Sequence, residues 1–352
     1  MRKRQGEALY EELVGRVTTG RGEGARFTGL DWARKQFIAE LGVDPWPGTL
    51  NLQAEVGAAT DWLRTLGPPL ILQPPDSGAC AADCWPVRIA GRFPAAVVRP
   101  QVSGYCGSTL EVIAALPLRT ELALTDADTV ALGSVRFADV DTVVFDVDGT
   151  LVDSVDGMWL AASRAAAIYG FDVPPDAVRR ALNTGESLWQ LIVPPEHRDD
   201  TEITQVLRRE TMRHWSQVVR ESVSVIAGVE QTLHGLRAAG IRLGIYTGSR
   251  GESFLPLERA GLMPLFSAVV TANDIGRPKP DPEGLYRCLE RLGADAARAV
   301  YVGDSQHDIQ CGRAAGARTV GVLSGAASSR LLASAGADRV FATVARLSDG
   351  LR

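Results

Sequence analysis

Five short apolar runs, separated by segments of helical periodicity, constrain this 352-residue chain most strongly. They read TVVFDV (142–147), IRLGIYT (241–247), SAVVTA (267–272), AVYVGD (299–304) and RTVGVL (318–323). Segments such as GVEQTLHGLRAAG (228–240) lie between them. Strands alternating with helices in this way predict a parallel sheet covered by helices. One insertion interrupts the alternation. Between the first run and the second, about 155–224 is mostly helical in pattern. It follows directly on the first strand's end, a placement suited to a lid over a site that needs shelter from water.

The chain before these runs has another texture. Short apolar stretches such as PAAVVRP, STLEVIAAL and DTVALGSV are separated by Gly, Pro and Asp. Such spacing predicts a small β-rich domain, with one amphipathic helix over Asp31–Leu41 whose shared face is Trp32, Phe37, Ile38 and Leu41. The expected division is therefore 1–136 and 137–352, with the joint within 133–140. A chain of this length is comfortable as two domains.

Composition narrows the partners. A net charge of −5 gives no reason to expect nucleic acid or anionic lipid. No apolar run approaches the roughly 20 residues that span a bilayer, and the basic start MRKRQGEALYEEL lacks the apolar core of a secretory signal. Five scattered cysteines suit a reducing cytoplasm better than a disulfide framework. Cys80 and Cys84 have no second ligand pair of zinc spacing and are expected to be ordinary thiols. Oligomeric state leaves no trace in the sequence.

The strand ends carry chemistry. In parallel α/β sheets ligands bind at the carboxyl ends of strands. Asp146 and Asp148 end the first strand. Thr247 and Gly248 end the second ahead of Ser249, offering a hydroxyl and backbone N–H groups to an anion. Lys279 follows in RPKPDP, and Asp304 and Asp308 in VGDSQHD. Carboxylates converging on one place call for a cation, and hard oxygen ligands select Mg²⁺. A phosphate would complete that shell, with Thr247 and Lys279 on its remaining oxygens. Asp146 then stands where it can attack phosphorus, and Asp148 where it can protonate the leaving group and activate water.

FDVDGTLVDS, IYTGSR, RPKPDP and VGDSQHD together resemble the haloacid dehalogenase superfamily of phosphatases, with GADRVFATVARL similar to its usual final stretch. The insertion resembles the type-one helical cap of phosphoglycolate-phosphatase-like members. The resemblance implies an α/β Rossmann-like domain in which Asp146 is the nucleophile and Asp148 the acid/base. It further implies Thr247, Gly248 and Lys279 at the phosphate. Mg²⁺ would be held by Asp146, the Asp148 carbonyl and Asp304, with Asp308 in support. Three tryptophans fall in the cap: Trp159, Trp189 and Trp215. Aromatics at helical positions are more often core than ligand contacts, although one could stack on a flat ring.

In the first domain, VTTGRGEGARF (17–27) places Gly20, Gly22 and Gly24 in alternation beside Glu23, a loop able to bring backbone N–H groups close to a polyphosphate. In DPWPGTLNLQ, Thr49 and Asn51 alternate with Leu50 and Leu52 and so point to one face of a strand. Two neutral oxygen donors hold Mg²⁺ only if phosphates supply the charge. These stretches, with STLEVIAALPLRTELALTDADTVAL, resemble the CTP-dependent riboflavin kinases, small cradle-loop β-barrels. The resemblance implies nucleotide at Gly20, Gly22, Glu23 and Gly24, Mg²⁺ at Thr49 and Asn51, and Glu111 on the flavin side. Two departures stand out: Tyr105 occupies the place of an expected His, and the late turn reads TDADT rather than DGD. The expected protein is a bifunctional enzyme of flavin metabolism, acting on CTP, riboflavin and a phosphomonoester such as the phosphorylated ribitylaminopyrimidine precursor. The alternative is a phosphoglycolate-type or general phosphatase carrying a nucleotide- or flavin-sensing barrel.

Overall fold

The computed structural model describes residues 12–347 except 21, 56, 77, 78, 104, 106, 136, 138, 185 and 250. The basic start, Cys106 and two positions of the expected joint thus lie outside the described residues. The chain divides into two compact units. Described residues up to 137 form the first together with 329–342, and 139–328 form the second together with 343–347. A single cut after residue 136 misses the return of 329–342 to the first unit. That segment is tied in locally: the Ser329 hydroxyl donates to the Gly42 carbonyl at 2.6 Å, Arg88 pairs with Asp338, and Ala333 joins the apolar core.

The first unit is a closed antiparallel barrel. Its strands are β1 (Glu12–Thr18), β2 (Leu50–Gln53), β3 (Leu70–Leu72), β4 (Ala82–Ile89), β5 (Phe93–Pro100), β6 (Thr109–Ile113) and β7 (Thr129–Ser134). Six of them run β4-β5-β6-β2-β1-β7, β7 pairs back onto β4, and β3 pairs on β4 outside the ring. Closure removes the exposed edges that a six-stranded sheet would otherwise present. Period-two alternation fixes the faces: Leu13 and Val17 of β1 point inward, as do Leu50 and Leu52 of β2. They fill the interior with Trp85, Phe93 and Leu132. Each such side chain fully buried contributes about 1.5–3 kcal/mol.

The helix expected over Asp31–Leu41 is present with those bounds, but the buried stripe is Ala33, Phe37 and Leu41. Trp32 and Ile38 lie half-buried at its margins. The stripe packs against Cys84, Ala96, Val98 and Ile113, so Cys84 is a core thiol, pushed up to about 12 by burial. Cys80, Cys84, Cys288 and Cys311 are all free.

In the second unit, β8 (Thr142–Phe145), β9 (Arg242–Tyr246), β10 (Ala268–Val270), β11 (Ala299–Gly303) and β12 (Arg318–Val322) are parallel in the order β10-β9-β8-β11-β12. The five runs of the sequence are these five strands. Order reverses between β8 and β11, and the crevice beyond their carboxyl ends is where an open α/β sheet binds its ligand.

The insertion is helical, with helices Val155–Ala166, Ala177–Thr184, Leu188–Ile192 and Thr201–Glu221. The Asp200 carboxylate caps the last of these at the N–H groups of Glu202 and Ile203. Chain passages into and out of this cap are hydrogen-bonded to each other, Asp153 N–H to the Ser224 carbonyl and Ile226 N–H to the Leu151 carbonyl. Asn183 donates to the Ala326 carbonyl at 2.9 Å and Gln306 donates to the Asn183 carbonyl at 2.8 Å, holding the cap on the sheet domain. Among the described residues no helix is long and apolar enough to cross a membrane.

Candidate active site

Four strand ends of the second unit deliver the parts of a single cluster. Asp146 and Asp148 follow β8, Thr247 and Gly248 follow β9, Lys279 stands in the segment after β10, and Asp304 follows β11. Asp308 enters from the first turn of helix Gln306–Ala315, where it forms a capping box with Ser305. Its carboxylate accepts from the Ser305 hydroxyl at 2.6 Å and backbone N–H at 3.1 Å.

Asp146, Asp304 and Asp308 are buried, and each offers an oxygen within 4.8 Å of the others. Lys279 donates to Asp146 and to Asp308, both at 2.6 Å, and its ammonium sits 4.9 Å from the centre of the Tyr246 ring. Asp148 lies apart from this trio and accepts from the Ser253 hydroxyl at 3.0 Å. A cavity of about 590 Å³ takes in all four carboxylates together with Thr247, Gly248 and Lys279.

Three buried carboxylates with one ammonium are short of positive charge, and their titration reflects it. Burial pushes Asp146 up to about 7, against the pull of Lys279 and with repulsion from Asp308 and Asp148 adding to it. Burial and repulsion from Asp308 and Asp146 likewise raise Asp304 well above the carboxylate range. Asp148 is raised by burial. For Asp308 burial works upward, but Lys279 outweighs it and the group is lowered. Burial would also lower Lys279, yet Asp146 and Asp308 together raise it. A cluster of this kind fits a hard divalent cation: its donors are all oxygen, and the added charge would relieve the raised carboxylates.

The sequence did not single out several supports of this geometry. Asp304 is wedged between two glycines. A Cβ at Gly149 (φ +73°) would lie 2.5 Å from its Oδ2, one at Gly325 would fall still closer, and the Ala326 N–H donates to the same oxygen at 2.7 Å. The Tyr301 hydroxyl lies 3.1 Å from Asp308 Oδ1 and 3.0 Å from the Tyr246 carbonyl oxygen, sharing its one proton between them. Tyr246 and Tyr301 lie in the apolar runs just ahead of the motif carboxylate and hydroxyl groups and Ser253 just after IYTGSR, where they read as ordinary strand and loop residues. Of the cap tryptophans, Trp159 bonds the Val173 carbonyl and packs with Trp189 in the cap core, whereas Trp215 lines the cavity.

The barrel gathers a second, neutral group. Thr49 precedes β2 and donates to Asn51 Oδ1 at 3.3 Å, so both occupy one face. Asn51 stands opposite Glu111 on β6 and opposite Thr18 on β1. Tyr105, in the place of the expected His, donates to Glu111 at 3.0 Å. A Cβ on Gly20 would collide with the Asn51 amide and one on Gly24 with the Thr49 hydroxyl, so these glycines lie directly over the two polar side chains. The loop is shorter than the glycine spacing suggests. Gly22 (φ +79°) opens a six-residue helix, Glu23–Thr28, that contains Gly24. The Glu23 side chain lies outside the described residues. Arg119 stands beside Thr49 in lining a cavity of about 250 Å³, and donates to the Thr18 carbonyl and to Asp126. No motif of the chain points to it.

Known proteins resemble the two units separately. Residues 143–322 match the family described as haloacid dehalogenase-like hydrolase, and residues 17–133 match the CTP-dependent riboflavin kinase family, described as a domain of unknown function, DUF120. The phosphoglycolate phosphatases of Shigella boydii serotype 4 and Escherichia coli K12 are each 32% identical over 213 residues, covering 54% of this chain and 84% of the relative. A predicted phosphoglycolate phosphatase of Haemophilus somnus 129pt shares the fold, with TM-score 0.54 and 22% identity over 60% of this chain and 98% of its own. The chain belongs to the haloacid dehalogenase-like hydrolase family. It is a phosphatase of that family joined to a riboflavin-kinase-like barrel, and such phosphatases are generally Mg²⁺-dependent.

Proposed function

We propose that the second unit hydrolyses a phosphomonoester through Asp146 with Mg²⁺, and that the barrel phosphorylates riboflavin from CTP. One observation carries the first part: the three carboxylates and Lys279 meet beside Asp148 at the β8–β11 switch point. Mg²⁺ held by Asp146, the Asp148 carbonyl, Asp304 and Asp308 would neutralise charge on the phosphate oxygens. Asp146 attacks phosphorus and becomes an aspartyl-phosphate as the ester oxygen departs. Asp148, raised by burial and oriented by the Ser253 hydroxyl, gives a proton to that oxygen, then takes one from the water that releases phosphate. Thr247, Gly248 and Lys279 hold the remaining oxygens, and the cap keeps bulk water out.

In the barrel, Gly20, Gly22 and Gly24 let backbone approach the nucleotide, with Glu23 in the same stretch. Thr49 and Asn51 share one face for Mg²⁺, and Glu111 lies where the flavin-side hydroxyl would be. The family match over residues 17–133 supports this. Kinase and phosphatase would cancel on one substrate. Riboflavin is therefore paired with a different phosphomonoester, the phosphorylated ribitylaminopyrimidine precursor. Free cysteines support the cytoplasm as the compartment. A second function, phosphoglycolate-type hydrolysis with a sensing barrel, is favoured by the names of the relatives.

Asp146→Asn in the full chain should lower Mg²⁺-dependent hydrolysis of p-nitrophenyl phosphate by at least about 10³-fold with the fold retained. In that background product survives, so CTP and riboflavin should give FMN, and Thr49→Ala with Asn51→Ala should end it. Binding of CTP or riboflavin without FMN would leave the sensing barrel instead.

A further inference from the structure

The phosphatase cavity is lopsided in charge and in polarity. Its floor carries four carboxylates, Asp146, Asp148, Asp304 and Asp308, and among the described residues lining it Lys279 is the only Lys or Arg. With Asp148 holding the proton it gives to the leaving group, the other three carboxylates, Lys279 and one divalent cation cancel, so this floor has no positive charge to spare for a second anion. The cap contributes Met158, Leu182, Met212 and Trp215 to the wall, and no charged side chain among the described residues. Leu182 and Met212 are 47% and 54% exposed, large apolar side chains that line the cavity, whereas the cap's other strongly exposed apolar residue, Ile168 at 56%, does not line it. Such exposure in a concave site marks a surface meant for a ligand. Trp215, by contrast, is fixed. It packs on Gly157 of the first cap helix, where a Cβ would lie 3.2 Å from its ring.

We infer that this site takes phosphomonoesters whose leaving group is uncharged and presents an apolar or flat surface to Met158, Leu182, Met212 and Trp215, and that it rejects esters carrying a second anion next to the phosphate. The inference rests on the phosphatase activity proposed above. The physical cause is desolvation without compensation. A carboxylate on the leaving group would lose its water against methionine, leucine and tryptophan and meet a floor with no positive charge to spare; of the basic side chains lining the cavity, Lys279 is already engaged by Asp146 and Asp308, and His307 is the other. A neutral group of the same size loses nothing comparable. The site therefore disfavours phosphoglycolate, whose carboxylate lies next to its phosphate, and suits a neutral polyhydroxy or aromatic alcohol.

Matched substrates test this in the full chain with Mg²⁺. Phosphoglycolate is compared with its primary amide, and 4-carboxyphenyl phosphate with 4-carbamoylphenyl phosphate. The amide of each pair should have the higher kcat/KM by at least about ten-fold. Met212→Arg, on an exposed cap position, should narrow the ratio by raising turnover of the carboxylates. Carboxylates hydrolysed as well as or better than their amides would overturn the inference and leave the phosphatase intact. An unchanged ratio in Met212→Arg would show that the cap wall does not set the selectivity, and would overturn it too. Absence of hydrolysis of all four esters and of p-nitrophenyl phosphate would remove the phosphatase activity itself, and the inference with it.

Discussion

The two polar clusters of this molecule use opposite electrostatics. In the second unit, Asp146, Asp304 and Asp308 are buried carboxyl groups with oxygens within 4.8 Å of one another, and Lys279 is locked to Asp146 and Asp308 at 2.6 Å. In the barrel, Thr49 and Asn51 are neutral, half-buried and joined by a 3.3 Å hydrogen bond. Buried charge is costly unless compensated, so the first cluster announces that something must bind there. Neutral donors cost little when empty and acquire purpose only with a phosphate and its cation. A site built on charge is therefore recognisable without its ligand, and a site built on neutral donors depends on family resemblance to be found.

That contrast can be broken experimentally. The largest effect expected is from Lys279→Met, which leaves Asp146 and Asp308 buried without their counter-charge. Removing one partner of a buried ion pair costs about 3–5 kcal/mol, and urea unfolding without Mg²⁺ should show a loss of that order. Thr49→Ala in the barrel should stay within about 1 kcal/mol on the same measurement, the scale of one neutral hydrogen bond. Equal losses would mean that the charged cluster is not under electrostatic load.

Metal sharpens the same point. Mg²⁺ alone should stabilise the chain through the carboxylates, by about 2.7 kcal/mol at a hundred times its Kd, and Asp304→Asn should remove most of that gain. Thr49→Ala with Asn51→Ala should leave it unchanged, because the barrel donors need a triphosphate first. Thermal unfolding with and without Mg²⁺ reads both. A stabilisation that survives Asp304→Asn would place the metal elsewhere.

The smallest effect concerns the TDADT turn. Ala127 has φ +74°, a left-handed conformation that glycine adopts without strain. Ala127→Gly should stabilise the protein by up to about 1 kcal/mol, read as a rise in the urea midpoint. A fall in stability would show that the alanine is unstrained in this turn.

The sequence made the charged cluster legible because each of its members ends an apolar strand or sits in a short local motif. Periodicity likewise gave the five parallel strands and the cap. What it hid was tertiary. Ser253 supports Asp148 from 105 residues away, and Tyr246 and Tyr301 support Lys279 and Asp308 as side chains that read only as buried strand residues. The helix Glu23–Thr28 begins inside what glycine spacing marks as a loop, since Gly24 is needed for closeness to Thr49 rather than for flexibility. The buried stripe of helix Asp31–Leu41 is Ala33, Phe37 and Leu41, and Trp32 packs at its margin against the same core. The segment 329–342 joins the first unit through Ser329, Ala333 and Asp338, contacts that no periodicity foretells.

The central claim is that Asp146 carries the phosphoryl group. Full-length protein mixed with p-nitrophenyl phosphate and Mg²⁺, quenched in acid within one turnover and digested, should show one phosphoryl group on the peptide containing Asp146 and none in Asp146→Asn. Steady turnover with the label on another residue, or on no residue at all, would contradict the account.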